Sequence, residues 1–187
     1  MMVKPYAYFK YCLHAEVLRK KPSFSWRMAI YTAIINREKR FYFFWRLAEF
    51  LHQQPKRFSH WMARRIATRL YYRYGCDIEL GTRIGPGLRI RHFSGIVINK
   101  HTFIGANCTL RQNTTIGAAS ASIKNIIIGN NVSIGANVCI IGDDIHIGNN
   151  VTIGAAAFIN KSISENCVCY SRNQIVIREK HPNERFL

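Results

Sequence analysis

The sequence predicts a mainly β protein: a parallel β-helix of hexapeptide repeats preceded by a short α-helical region. Three observations carry that expectation. Aliphatic residues recur six apart in four runs: Ile78, Ile84, Ile90, Ile96; Ile104, Leu110, Ile116; Ile128, Ile134, Ile140; and Ile147, Ile153, Ile159. Several hexads are near-copies of one another (IGANCT, IGNNVS, IGANVC, IGNNVT), and a short fixed period of six is that of stacked β-helix coils. All twelve glycines lie at or after Gly75, whereas Trp26, Trp45 and Trp61 all precede it. Residues 1–75 hold 16 basic and 3 acidic residues, so +13 of the formal +17 charge sits there. These shifts divide the chain into a basic, aromatic-rich helical region (1–75), a β-helix (76–165) and a polar tail (166–187).

In the first region, Trp61, Met62, Ile66, Leu70 and Tyr74 keep helical spacing between Arg57 and Tyr74, with arginines on the other positions. FYFFWRLAEFL (Phe41–Leu51) is apolar apart from Arg46 and Glu49; Pro55 separates the two segments and Pro22 marks an earlier break. From Gly75 the aliphatic residue of each hexad points inward. A smaller one four later also turns in: Thr82, Ser94, Cys108, Val132, Val138, Val151 and Ala157. Three hexads make a triangular coil of about 18 residues, stacked at strand spacing, about 4.8 Å. The phase breaks twice. Ile96 to Ile104 spans eight residues, suggesting a bulged corner around His101, and the hexad Ser120–Asn125 lacks an anchor and is expected to loop out.

The start MMVKPYAYFKYC shows no secretory signal pattern, and no run of roughly 20 apolar residues could span a bilayer. The six cysteines have no metal spacing, and Cys108 falls at an inward position, where a reduced thiol is expected. These features read as a cytoplasmic protein.

The repeat itself supplies no acid or base, so chemistry lies in its exceptions. The β-helix contains three histidines, His92, His101 and His146. Asp77 precedes His92 by 15 residues, just short of one coil, so stacking is expected to bring its carboxylate near His92 on the next rung. A carboxylate behind a histidine makes an oriented general base. The spacing equally allows a surface corner histidine and an aspartate that caps the start of the coil.

The segment DIELGTRIGPGLRIRHFSGIVI (Asp77–Ile98), followed by IGANCTLRQNTTIG (Ile104–Gly117), resembles the hexapeptide-repeat acyltransferases, and more narrowly their serine acetyltransferase-like branch. The resemblance covers roughly residues 76–160. It implies a left-handed β-helix, an exception to the right-handed crossover rule, in a homotrimer with active sites between prisms. It also implies acetyl-CoA as co-substrate, no metal, and Asp77 and His92 as the catalytic pair. Small residues of the prism wall (Gly117, Ala118, Gly135, Ala136, Gly154, Ala155) would let the pantetheine arm lie close, although tight corners alone also call for small residues. Arg172 lies in YSRNQIVIR, which stands where the family's ending closes over the coenzyme.

Three departures stand out: the first two bear on the acceptor and the third on the coenzyme contacts. Serine acetyltransferases carry a second histidine in H-P-(K/T)-I, where this chain has KNIIIG with Asn125. Their N-terminal domain is long and acidic, and their G-x-P-A-(K/R) ending is absent. The short basic leader is more similar to bacterial polysaccharide O-acetyltransferases of the capsular and colanic-acid types. A sugar hydroxyl of a surface polysaccharide or its precursor is therefore the expected acceptor, with serine or another small molecule as the alternative. Interleaved cations and aromatics in residues 1–75 suit peripheral contact with an anionic membrane or an anionic glycan, or equally a packed helical face with solvated arginines. No nucleic-acid motif accompanies the charge. A zinc hydratase is disfavoured because His92, His101 and His146 lack an H-x4-H pair. The alternative of another class is a non-catalytic trimeric scaffold or binding protein.

Overall fold

A computed structural model describes residues 5–19, 21–118 and 125–172. Four α-helices come first: α1 (Pro5–Leu13), α2 (Trp26–Ile35), α3 (Arg37–His52) and α4 (Arg57–Tyr74), with a π-helical turn, His14–Leu18, after α1. Asn36 caps α3, its side chain accepting from Lys39 N at 3.0 Å. Pro55 falls in the break between α3 and α4. Gly75 ends α4 in the left-handed region at φ 62°, a conformation glycine adopts without a Cβ penalty. Trp61, at helical spacing with the other apolar residues of α4, is 52% exposed. The helix buries Ala63, Leu70 and Tyr74, which leaves Trp61 beyond the contact edge, stacked on Phe58.

The chain then winds as a left-handed parallel β-helix with three sheets. The first sheet holds β1 (Cys76–Ile78), β4 (Ile96–Ile98), β7 (Thr115–Gly117), β10 (Cys139–Ile141) and β13 (Phe158–Ile159). The second holds β2 (Arg83–Ile84), β5 (Thr102–Ile104), β8 (Ile126–Ile128) and β11 (His146–Ile147). The third holds β3 (Arg89–Arg91), β6 (Thr109–Arg111), β9 (Ser133–Ile134), β12 (Thr152–Ile153) and β14 (Val168–Cys169). The repeating aliphatics fill the prism: Ile84, Ile98, Ile116, Ile134 and Ile140 are all buried, each worth about 1.5–3 kcal/mol relative to exposure. Asparagines at left-handed corners add a ladder, with Asn107, Asn131, Asn150 and Asn166 linked Nδ2 to Oδ1 at 3.0–3.1 Å.

Register relocates one phase break. Ile98 pairs with both Ile78 and Ile116, so the inward series runs Ile90, Ile98, Ile104. The eight-residue step is therefore at His92, and the corner holding His101 is regular. Ile96 and Ile98 are both fully buried, so spacing alone could not choose between them. Ser94, expected inward, is exposed because it lies in this longer corner. The hexad at 120–124, expected to loop out, lies outside the described residues. The coil continues beyond 165, because β14 pairs with β12 and Ile163 bridges to Ile147.

The helices close the open end of the first coil. A solenoid end presents unpaired backbone groups and an uncovered core. Here Tyr8 donates to Ile84 O at 3.1 Å, and Ile90 N–H donates to the Tyr42 hydroxyl at 2.7 Å. Leu88 N–H donates to Glu16 at 3.1 Å. Arg46 donates to Ile84 O and Gly85 O, both at 2.8 Å, and grips Glu16 through Nε and Nη2 at 2.9 and 2.5 Å. One apolar core runs from Phe9 and Trp45 through to Ile159.

Candidate active site

The two candidate catalytic residues flank the junction of helices and prism. Asp77 is the middle residue of β1. Its neighbours Cys76 and Ile78 point inward, so alternation turns Asp77 out to solvent. His92 follows β3 with φ 64° and is exposed. It opens the lengthened corner, which is held from two sides. Gly95 N–H donates to Gly75 O at 2.8 Å, tying the corner to the start of β1. Phe93 packs on the helices, with ring centroids 4.7 Å from Phe41 and 5.2 Å from Tyr74. The two residues thus stand on adjoining coils. Among the described residues they make no hydrogen bond or ion pair with each other.

Asp77 lines a cleft of about 540 Å³ between α3, α4 and β1, together with Glu79, His52, Arg64, Thr68 and Tyr71. His92 does not line it. His52 was missed at the sequence level because nothing in α3's spacing marks it. Its Nδ1 is buried without a partner, and its ring lies 5.1 Å from that of His60. Burial first, then the His60 and Arg64 charges, hold the His52 imidazole below its ordinary pKa.

Of the residues expected to hold the coenzyme, Gly135, Ala136 and Ala155 share the corner between the third and first sheets. A Cβ on Gly135 would stand 2.5 Å from Ala155 N, so coil stacking itself demands glycine there. Gly117 and Ala118 lie at a different corner, at the end of β7. Among the described residues, a Cβ on Gly117 would meet only Ile141 Cδ1, at 3.6 Å, an ordinary contact that leaves room for one. Arg172 is exposed beyond β14. One chain therefore does not unite the whole set. Cys108 is buried, and burial pushes its thiol up to about 12, which makes it a poor nucleophile. His101 is half-buried, and His146 is exposed with Nε2 3.4 Å from Asp144. Among the described residues no three histidine, cysteine or carboxylate side chains converge to hold a metal.

No family model matches the chain. It is 40% identical over 105 residues to WcaB of Escherichia coli (strain K12), provisionally named a colanic acid biosynthesis acetyltransferase, covering 56% of this chain and 63% of WcaB. It is 34% identical over 100 residues to the serine acetyltransferase of Helicobacter pylori (strain ATCC 700392 / 26695), covering 52% and 57%. Its relatives are acetyltransferases. The chain spans about six-tenths of the length of these curated relatives. Serine acetyltransferase isoform 3 of Entamoeba histolytica, solved with cysteine, superposes with a TM-score of 0.72 at 26% identity, over 95% of this chain and 62% of that one. The Brucella abortus serine acetyltransferase, solved with coenzyme A, shares the fold at a TM-score of 0.66 and 23% identity, over 94% and 68%.

Proposed function

We propose that the protein is an acetyl-CoA-dependent O-acetyltransferase whose acceptor is a sugar hydroxyl of a bacterial surface polysaccharide or its precursor. The observation that carries this reading is the 40% identity to WcaB over 105 residues. The exposed Asp77 and His92 on adjoining coils add to it. In this reading the His92 imidazole removes the proton of the acceptor hydroxyl as its oxygen attacks the thioester carbonyl. The imidazolium then returns that proton to the departing thiolate. Asp77 favours the imidazolium electrostatically and orients the ring, a role that calls for the two side chains to close together when substrates bind. The coenzyme lies in a groove between two prisms of a homotrimer, which explains why the small wall residues (Gly117 and Ala118 against Gly135, Ala136 and Ala155) occupy two corners. Arg172 meets its phosphates. The enzyme works in the cytoplasm, and its basic leader makes peripheral contact with an anionic surface.

Arg91 favours an anionic acceptor. It immediately precedes His92, is exposed, and stands in ladder register with Arg111 on β6. Like charges directly opposite in a ladder are unfavourable, and among the described residues no carboxylate pairs with either. A carboxylate or phosphate on the saccharide would relieve that repulsion.

The test is thiol release from acetyl-CoA by the purified chain against neutral sugars, uronate-bearing oligosaccharides, nucleotide sugars and serine. A saccharide-dependent signal that falls by about 10²–10⁴ in His92→Ala, with fold and oligomeric size kept, supports the reading. Arg91→Ala should raise KM for an anionic acceptor by about tenfold, the scale of one charge-assisted hydrogen bond. Near wild-type turnover in His92→Ala would refute the assigned base. Serine outpacing every saccharide would move the acceptor to an amino acid. No acetyl-CoA binding by calorimetry would leave a non-catalytic trimer.

A further inference from the structure

A groove of about 420 Å³ runs between α3 and α4, away from the cleft that holds Asp77. Its floor includes Phe44, Met62 and Ile66, its rim carries Arg40, Arg65, Arg69 and Arg73, and among the described residues no carboxylate lines it. Arg65, Arg69 and Arg73 recur every four residues on α4, a spacing at which like charges oppose the helix. Only two of the four are occupied. Arg40 donates through Nε to Ala33 O at 2.9 Å and through Nη2 to Ile34 O. Arg65 lies over the Trp61 ring at 5.5 Å. Among the described residues Arg69 and Arg73 have neither a hydrogen bond nor an ion pair.

Arg40 also ties the groove to α2, which is packed the wrong way round for a water-facing helix. Its small residues, Ala29 and Ala33, are buried, while Ile30, Tyr31, Ile34 and Ile35 are 47–63% exposed. An apolar face of this kind marks an interaction surface. Arg27 and Arg37 at its two ends add to the charge, and both are exposed.

We propose that this face docks on an anionic phospholipid surface, with lipid phosphates in the arginine groove and α2 lying at the headgroup boundary. This deepens the peripheral-contact reading above and rests on it, but does not require the acetyl-transfer chemistry. A soluble anion would account for the guanidinium groups and leave α2 unexplained. A neutral apolar partner would account for α2 and leave four cations in the rim. An anionic bilayer satisfies both, because guanidinium groups take phosphate oxygens bidentately while isoleucine and tyrosine enter the interface. No described helix is long and apolar enough to cross a membrane, and the contact is with the surface.

The experiment is co-sedimentation of the full chain with phosphatidylcholine vesicles, with and without phosphatidylglycerol, at near-physiological salt. The wild type should bind only the anionic vesicles, and less as salt rises. Arg69→Ala with Arg73→Ala should weaken binding roughly tenfold or more, since two surface cations are removed. Ile34→Ser with Ile35→Ser should weaken it while keeping the salt dependence. All four side chains are exposed, so circular dichroism and hydrodynamic size should not change. Arginine variants that bind like wild type would overturn the groove and leave the peripheral-contact reading standing. Absence of wild-type binding to any vesicle would remove both the groove and the membrane contact. Inorganic phosphate displacing the protein at low millimolar levels would point to a free-anion site instead. A drop in oligomer mass on Ile34→Ser, with no vesicle binding, would assign the face to a second copy of the chain.

Discussion

Replacing Arg46 by methionine should lower the unfolding temperature by about 6–20 °C, and the geometry sets that range. All five guanidinium N–H groups are used. Nε goes to Glu16, Nη1 to Glu49 and Ile84 O, and Nη2 to Glu16 and Gly85 O. Arg46 is 1% exposed and Glu16 not at all. Methionine retains most of the packing but leaves the buried Glu16 carboxylate with, among the described residues, only the Leu88 N–H as a donor. Removing one partner of a buried pair costs about 3–5 kcal/mol, and each kcal/mol shifts the midpoint by about 2–4 °C in a chain of this size. The assay is thermal unfolding followed by circular dichroism at neutral pH. Glu16→Met added to Arg46→Met should recover part of the loss, because no unpaired carboxylate is then left at that position. The carbonyls of Ile84 and Gly85 would still lack their donors. A shift below about 3 °C, or a double variant no better than the single one, would refute the clamp.

Gly135→Ala should destabilise the fold by about 1–3 kcal/mol through overpacking against Ala155 N. Gly117→Ala should leave the melting temperature unchanged and raise KM for acetyl-CoA if the arm passes there, which melting curves and steady-state kinetics would separate. His52 is held below its ordinary pKa, so the unfolded chain takes up its proton more readily than the folded one. Its contribution to stability is complete above the ordinary histidine value of about 6.5 and is lost as pH falls through it. His52→Gln should therefore flatten the acid side of the stability profile below about pH 6.5, and parallel curves there would refute this. Phe93→Ala should free the His92 corner from Phe41 and Tyr74, lowering kcat on the order of tenfold to hundredfold with little change in acetyl-CoA affinity.

The prism was legible because its code is local. Each coil repeats the same inward aliphatic, and the six-residue period recurs after each break between Ile78 and Ile159. What the sequence hid depends on register or on distant partners. Ile96 and Ile98 are equally apolar, and only pairing with Ile78 and Ile116 reveals which keeps the phase. Arg46 and Glu49 interrupt an apolar run, and nothing in that run marks them as buried. Their burial is set by Glu16, thirty residues away on the π-helical turn, and by corner carbonyls of the first coil. The Asp77 and His92 positions were readable as a spacing, whereas the His52 cleft arises from the packing of α3 and α4 on β1, which no short motif encodes.

The placement of the candidate pair at the first coil has a physical reason. A uniform solenoid offers the same small residues at every corner, so a distinctive site needs a coil that breaks the repeat. Inside the stack an extra pair of residues would disturb ladders on both sides. At the end, one side is free, and the helices can absorb the irregularity. Phe93 shows how: the side chain displaced by the longer corner enters the aromatic cluster of Phe41, Tyr42 and Tyr74 instead of the prism. Gly75 joins the two halves of the arrangement, since it ends α4, starts the strand of Asp77 and accepts from Gly95 in the corner of His92. The helical region is thus the structure that accommodates an exceptional corner, and the end of α4 holds that corner twice, through the Gly75 carbonyl and through Tyr74 against Phe93.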